Sequence, residues 1–243
     1  MEHQDCIIFE NVSKSYGENR ILSNFNLNIC KGDFLTIIGS SGCGKTTVLK
    51  LINGLLTPDS GRILVYGEDI AEMDQIQLRR KMGYVIQEIG LFPHMTISKN
   101  IAYVPNLIKA ENKIDIRNKV KELLHMVGLD EEILTRYPSE LSGGQRQRVG
   151  LARALAASPK ILLMDEPFGA VDEINRKLLQ EEILKIYQKL NVVIVFITHD
   201  IKEALNLGTR VLVMDKGEII QIGTPSEIKQ HPKTNFVREL IGV

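Results

Sequence analysis

The sequence predicts an α/β fold: a core of buried strands that carries a phosphate-binding loop, an antiparallel β subdomain near the N-terminus, and an inserted α-helical lobe. Three observations predict it. An apolar run at 34–38, the stretch Gly39-Ser40-Ser41-Gly42-Cys43-Gly44-Lys45-Thr46-Thr47 and a helical pattern at 48–52 follow one another, which is the strand–loop–helix order a phosphate cradle needs. Two apolar runs, 161–164 and 192–197, show no alternation and so read as strands covered on both faces. Residues 88–150 differ in character, with helical patterns near 96–104 and 114–127.

With 243 residues the chain fits one large domain, or one domain with an inserted lobe, and 44% hydrophobic residues suffice for a sizeable core. Thirty basic and thirty acidic side chains give zero net charge, which speaks against nucleic acid as a partner. No apolar run reaches the ~18 residues of a membrane span. The start, Met1-Glu2-His3-Gln4-Asp5, has neither the basic nor the apolar part of a signal peptide. The three cysteines, Cys6, Cys30 and Cys43, have no metal-ligand spacing, and their odd number argues against a disulfide framework. A reducing cytosol suits them best. Cys43 sits inside the loop at a helix start, where a redox-sensing thiol is one reading and a small tolerated residue the other.

Taken in order, 6–12 and 21–29 read as strands. The second alternates between Phe25 and Ile29, as a half-exposed antiparallel strand does. Residues 13–17 between them read as a loop that holds Tyr16, an aromatic able to stack on a base. Lys31-Gly32-Asp33 turns into the strand at 34–38. Asn53-Gly54 stops the first helix; Thr57-Pro58-Asp59-Ser60-Gly61 is turn chemistry. A strand at 62–66, a helix at 75–81 and a strand at 82–86 follow, the last ending at Gln87. Arg79-Arg80-Lys81 reads as a solvated face. In the lobe, Ile116, Val120, Leu123, Leu124 and Val127 share a helical face that Gly128 ends. Ser142 caps a helix running through Ala157. Asp172 turns into a long helix whose Leu179, Ile183, Ile186, Tyr187 and Leu190 share a face. After the strand at 192–197 come a short helix, strands at 210–215 and 218–222, and short helices at 225–230 and 234–241.

The chemistry follows from these positions. The loop's glycines let its backbone N–H groups turn inward on phosphate oxygens, and the helix start adds its positive dipole end. Lys45 is suited to the β- and γ-phosphates, and the Thr46 hydroxyl to Mg²⁺. Ser142-Gly143-Gly144-Gln145 makes a second exposed helix start, hence a second anion site. Asp165 and Glu166 end a buried strand, where open α/β sheets bind ligands. Asp165 is suited to Mg²⁺ and Glu166 to general-base work on a water. The strand at 192–197 delivers His199 to the same edge, near the γ-phosphate.

Together these motifs resemble the ATP-binding subunit of an ABC transporter over nearly the whole chain; Ser142-Gly143-Gly144-Gln145 is the specific item, since ordinary P-loop enzymes lack it. The resemblance implies an α/β fold: a P-loop NTPase core with antiparallel β subdomain and inserted α-helical lobe. Residues 1–243 then form one ATP-binding domain, with a RecA-like core at about 1–87 and 158–243 and a helical subdomain at about 88–157. It also implies a head-to-tail homodimer with two ATP molecules, each between Gly39–Thr47 of one copy and Ser142–Gln145 of the other. Gln87 then senses Mg²⁺ and the γ-phosphate, His199 is the switch histidine, Asp172 crosses the dimer interface and Tyr16 stacks on adenine. ATP closes the dimer, hydrolysis reopens it, and closure pulls on permease subunits seated near Gln87 to Met95, at the cytoplasmic face of the membrane.

Within that family, residues 87–97 and 167–172 look most like importers of quaternary-ammonium osmoprotectants such as glycine betaine, choline, carnitine and ergothioneine. A solute-binding protein or domain is then a further partner. Two departures stand out: many such ATPases carry paired C-terminal regulatory domains, whereas this sequence stops at Val243; and Glu173 stands where proline is common, an acid that suits a helix start. The alternatives are the ATPase of another importer, for amino acids or other solutes, an exporter or lipoprotein-release ATPase, a soluble ABC protein acting on DNA or ribosomes, and a catalytically silent subunit. The loop around Phe92 and Pro93 speaks against the exporter, the single core without sustained heptads against the soluble protein, and intact Lys45, Asp165, Glu166 and His199 against the silent subunit.

Overall fold

A computed structural model describes residues 5–87, 89–108, 112–169 and 171–242. The chain runs β1 (Asp5–Tyr16), β2 (Asn19–Cys30), β3 (Phe34–Gly39), α1 (Lys45–Ile52), β4 (Ser60–Val65), β5 (Glu68–Asp69), α2 (Gln75–Arg80) and β6 (Met82–Val85). Then come α3 (Ile97–Ile101), α4 (Tyr103–Ile108), α5 (Lys113–Met126), α6 (Gly143–Leu155), β7 (Ile161–Asp165), α7 (Glu173–Leu190) and β8 (Val193–Ile197). The chain closes with α8 (Ile201–Leu207), β9 (Arg210–Asp215), β10 (Glu218–Gly223), α9 (Pro225–Gln230) and α10 (Asn235–Ile241). It divides into two compact units, one of the residues up to Arg79 and from Val193 on, the other Arg80–Val192.

In the first unit an antiparallel sheet has the order β2-β1-β4-β5. The alternation in β2 puts Leu22, Phe25, Leu27 and Ile29 inside, with Phe25 edge-on to Phe9 of β1 at 5.5 Å. Tyr16 is not in a loop: β1 continues through the polar residues 13–16 because their backbone pairs with β2, Lys14 opposite Leu22 and Tyr16 opposite Asn19. The same unit holds β10-β9-β3-β8 in that order, with β3 parallel to both β8 and β9. Every residue of β8 is buried, as the unbroken apolar run demands. Helices α8, α9 and α10 cover one side through Ala204, Ile228 and Val237, packed with Ile38, Val211 and Val213. Arg79 is more than a solvated face, for its guanidinium donates to Asn53 O and Gly54 O at the end of α1, where carbonyls lack helical partners.

In the second unit β6 and β7 pair in parallel, Met82 opposite Ile161. Gly83 is required there, since a Cβ would lie 2.6 Å from Ala154 O of α6. The five apolar residues expected on the 114–127 helix are all buried. The pattern at 96–104 forms two short helices rather than one. Pro105 has no N–H and its ring would crowd the carbonyl four residues back, so the chain breaks at Ala102, the C-cap of α3. Helix α6 stops at Leu155, short of Ala157. Residues Glu131–Thr135 and Pro138–Glu140 form 3-10 turns. On α7, Leu179, Ile183 and Ile186 are buried, but Leu190, in the last turn, is 42% exposed.

Candidate functional site

The phosphate loop is built by its glycines. Gly39, at the end of β3, has φ 150°, and a Cβ there would lie 1.9 Å from Met214 O of β9. Gly42 and Gly44 have φ of 75° and 104°, a region open to glycine at little cost. Helix α1 begins at Lys45 with no side-chain cap and no acidic residue in its first turn, so the positive end of its dipole is not offset there by a carboxylate and suits an anion. Lys45 Nζ donates to Gly39 O (3.0 Å) and Ser40 O (2.9 Å), which folds the ammonium onto the loop. These residues fit a polyphosphate: a loop shaped by glycines at positive φ, a helix dipole end and the Lys45 ammonium. Ser40 Oγ donates to Asp215 at 2.6 Å, a partner not foreseen in the sequence. Thr47 is buried, Thr46 half-buried, and Ser41 and Gly42 exposed. Cys43 is only 3% exposed, so its thiol is largely shielded from solvent.

Two further residues of this unit relate to the loop. Ile21 and Leu22 of β2 lie against Gly44, where a Cβ would meet them at 3.2 and 3.0 Å. The β1–β2 hairpin therefore flanks the loop, and Tyr16 stands near its tip, 46% exposed. His199 follows β8, which pairs with β3 as far as Ile37 opposite Ile197. It is exposed, at the strand end that carries the loop on β3.

In the second unit Asp165 ends β7 and is buried. Burial and the charge of Asp165 push the Tyr84 phenol up to about 12. Glu166 has φ 45°, an uncommon conformation for a non-glycine residue and one that clusters at functional sites. Gln87 Nε2 donates to Glu166 Oε2 at 3.4 Å, which brings together two residues that the sequence separates widely. Ser142 caps α6 by accepting from Gln145 N–H at 3.2 Å, and Gln145 Oε1 accepts from Ser142 N–H at 2.9 Å. This capping box holds the residues 142–145 in one turn. A Cβ on Gly144 would lie 3.8 Å from Asn175, the residue whose amide nitrogens donate to Asp172 at 3.1 and 2.7 Å. Those bonds hold the Asp172 carboxyl below its usual range. The Ser142 turn and the Asp172 turn are thus neighbours. Glu88 and Ala170, part of the stretches that resembled osmoprotectant importers, lie outside the described residues.

The loop after Gln87 is held by two residues that sequence reasoning missed. Arg153 of α6 donates to Gly90 O (2.6 Å) and Ile89 O (2.8 Å) and lies 5.9 Å from the Phe92 ring centroid. Asn100, fully buried, accepts from Phe92 N–H at 2.8 Å and donates to the carbonyls of Phe92, Met95 and Thr96, each at 3.1 Å. A polar residue amid the apolar spacing of α3 was the available signal. Asn100→Ala is expected to cost about 2–4 kcal/mol, since several buried groups lose partners at once. Urea denaturation checks the loss, and hydrogen exchange should speed up at 92–96 first.

A glycine-shaped loop running into the uncapped start of α1, a Ser-Gly-Gly-Gln turn that opens α6, and Asp165 and Glu166 at the end of a buried strand are together the features of an ATP-binding cassette. The chain belongs to the ABC transporter family, whose model matches residues 22–169. It is similar to the glycine betaine/carnitine/choline transport ATP-binding protein of Bacillus subtilis, 54% identical over 96% of this chain. The chain spans about three-fifths (61%) of the length of that relative. It is also similar to the glycine betaine uptake system ATP-binding protein of Escherichia coli, 48% identical over 97% of this chain and 76% of the relative. Among solved structures it matches the dimeric post-hydrolysis state of an ATP-binding cassette bound to ADP and Pi, with TM-score 0.82, 34% identity, and 90% of this chain and 98% of that one covered. The α/β fold class read from the sequence is thereby borne out. Among the described residues no helix is long and apolar enough to cross a membrane.

Proposed function

We propose that the chain is the ATP-hydrolysing motor subunit of an importer for quaternary-ammonium osmoprotectants. The observation that carries the ATP reading is the uncapped start of α1 behind the glycine loop. The solute class is supported by the relatives, which are named for glycine betaine, carnitine and choline transport.

In this reading residues 39–47 receive the phosphates through their amides and Lys45, and Tyr16 stacks on the adenine. Thr46, Asp165 and Gln87 hold Mg²⁺, an all-oxygen donor set suited to a hard cation. Mg²⁺, when bound, neutralises phosphate charge. Among the described residues no three His, Cys, Asp or Glu side chains converge as a metal site, so the proposal leaves the other ligands to phosphate and water. Glu166 takes the proton of the attacking water, Gln87 orients that carboxylate, and His199 contacts the γ-phosphate. Ser142, Gly143, Gly144, Gln145 and Asp172 meet the ATP of a second copy.

The RecA-like core at 1–87 and 158–243 and the helical subdomain at 88–157 belong to the same proposal. So does docking of a permease on the loop up to Met95, which Asn100 and Arg153 keep in shape. The chain then works at the cytoplasmic face of the membrane with a permease and a solute-binding protein, and zero net charge is in keeping with no nucleic-acid partner.

The test is co-purification of the tagged chain from membranes in mild detergent, with solute binding measured on the partners. A permease and a domain that binds glycine betaine or a related cation are expected. Ribosomes, or no membrane partner, would overturn the transport role while leaving the ATPase reading in place.

A further inference from the structure

Thr198, Asp200 and Glu203, which surround His199 in the sequence, are joined by a closed ring of hydrogen bonds. Thr198 Oγ1 donates to Glu203 Oε2 at 2.5 Å. Asp200 N–H donates to Thr198 Oγ1 at 3.0 Å, and Glu203 N–H donates to Asp200 Oδ1 at 3.3 Å. The ring therefore runs 198–203–200–198, and residue 199 lies between two of its members in the chain. Upstream, Thr198 N–H donates to Ile37 O of β3 at 3.3 Å, which ties the ring to the strand that carries the phosphate loop. Thr198 is 2% and Glu203 5% exposed, while His199 is exposed.

Helix capping does not need this ring. Asp200 alone caps α8, accepting from Lys202 and Glu203 N–H. The Thr198–Glu203 bond is an addition that takes a carboxylate out of water, a costly placement unless the group is bonded well. Its geometric effect is local: residues 198 and 200, on either side of His199, are both tied down, which restrains the backbone at 199.

We infer that Thr198 and Glu203 are positioning residues that aim His199 at the γ-phosphate. This rests on the reading of His199 as the residue that contacts that phosphate. Loss of the ring leaves ATP binding to the loop intact and slows hydrolysis, because a displacement of about 1 Å can cost ~100-fold in rate.

The experiment is steady-state ATP hydrolysis by the full chain, with kcat and KM separated, for Thr198→Val, Thr198→Ser, Glu203→Gln, Glu203→Leu, His199→Ala and the double variant Thr198→Val/His199→Ala. Thr198→Val should lower kcat about 10- to 100-fold with KM little changed, and Thr198→Ser, which keeps the hydroxyl, should recover most of it. Glu203→Gln still offers an acceptor oxygen and should stay well above Glu203→Leu. The double variant, followed by single turnover, should be no slower than His199→Ala alone, since the ring acts through that side chain. Wild-type kcat in Thr198→Val, or losses that multiply in the double variant, would overturn the inference while leaving His199 in its role. Unchanged kcat in His199→Ala would overturn the reading of His199 and the inference with it. If Thr198→Val does not fold, the Glu203→Gln and Glu203→Leu pair decides the matter on the same readouts.

Discussion

Glu166→Gln is expected to bind ATP as the parent chain does and to hydrolyse it about 10²–10⁴-fold more slowly, the usual worth of a positioned general base. The substitution keeps shape and volume, so the residue can hold φ 45° and still face Gln87 at the 3.4 Å contact. What it removes is the ability to accept a proton from water. Single-turnover hydrolysis together with nucleotide binding separates the two effects. Turnover within a few-fold of the parent would mean that another group takes the proton, and the φ 45° of Glu166 would then belong only to the turn after β7.

Lys45→Ala is expected to weaken ATP binding about 30- to 150-fold, equivalent to about 2–3 kcal/mol for a lost charge-assisted contact. In the loop as it stands, the ammonium rests on Gly39 O and Ser40 O, two carbonyls that a bound phosphate would replace as its partners. The glycines at 39, 42 and 44 that shape the loop are untouched, so the variant should keep its fold by circular dichroism. Calorimetric titration with ATP checks the affinity. Parent-like binding would mean that amides and helix dipole suffice, and that Lys45 serves only to hold the loop.

Much of the architecture was legible because local rules and global fold agree. The glycine spacing of 39–44 demands positive φ, the alternation in 21–29 demands one dry face, and the unbroken apolar run of β8 demands two. Boundaries failed where long-range pairing overrides local chemistry. Ser13-Lys14-Ser15-Tyr16 has the composition of a loop, yet its backbone is taken up by β2. The break at Ala102 and the 3-10 turns at 131–135 and 138–140 come from proline and from short-range closure that periodicity does not register. At the candidate site, the residues proposed to act lie in compact motifs that stand out in the sequence. Asn100, Arg153, Asp215 and Glu203 do not, because each acts on backbone or side chains brought to it by tertiary structure. A buried Asn or Glu in a helix looks, in sequence, like any polar residue on a wet face.

In the proposed mechanism two copies close head-to-tail on ATP, with the loop at 39–47 of one facing the Ser142 turn of the other. Sedimentation of Glu166→Gln with and without ATP, with bound nucleotide counted, tests it most directly. A single-chain species is expected without ATP, twice that mass with ATP, and one nucleotide per chain. A species that binds ATP at full occupancy yet stays at the mass of one chain would contradict it.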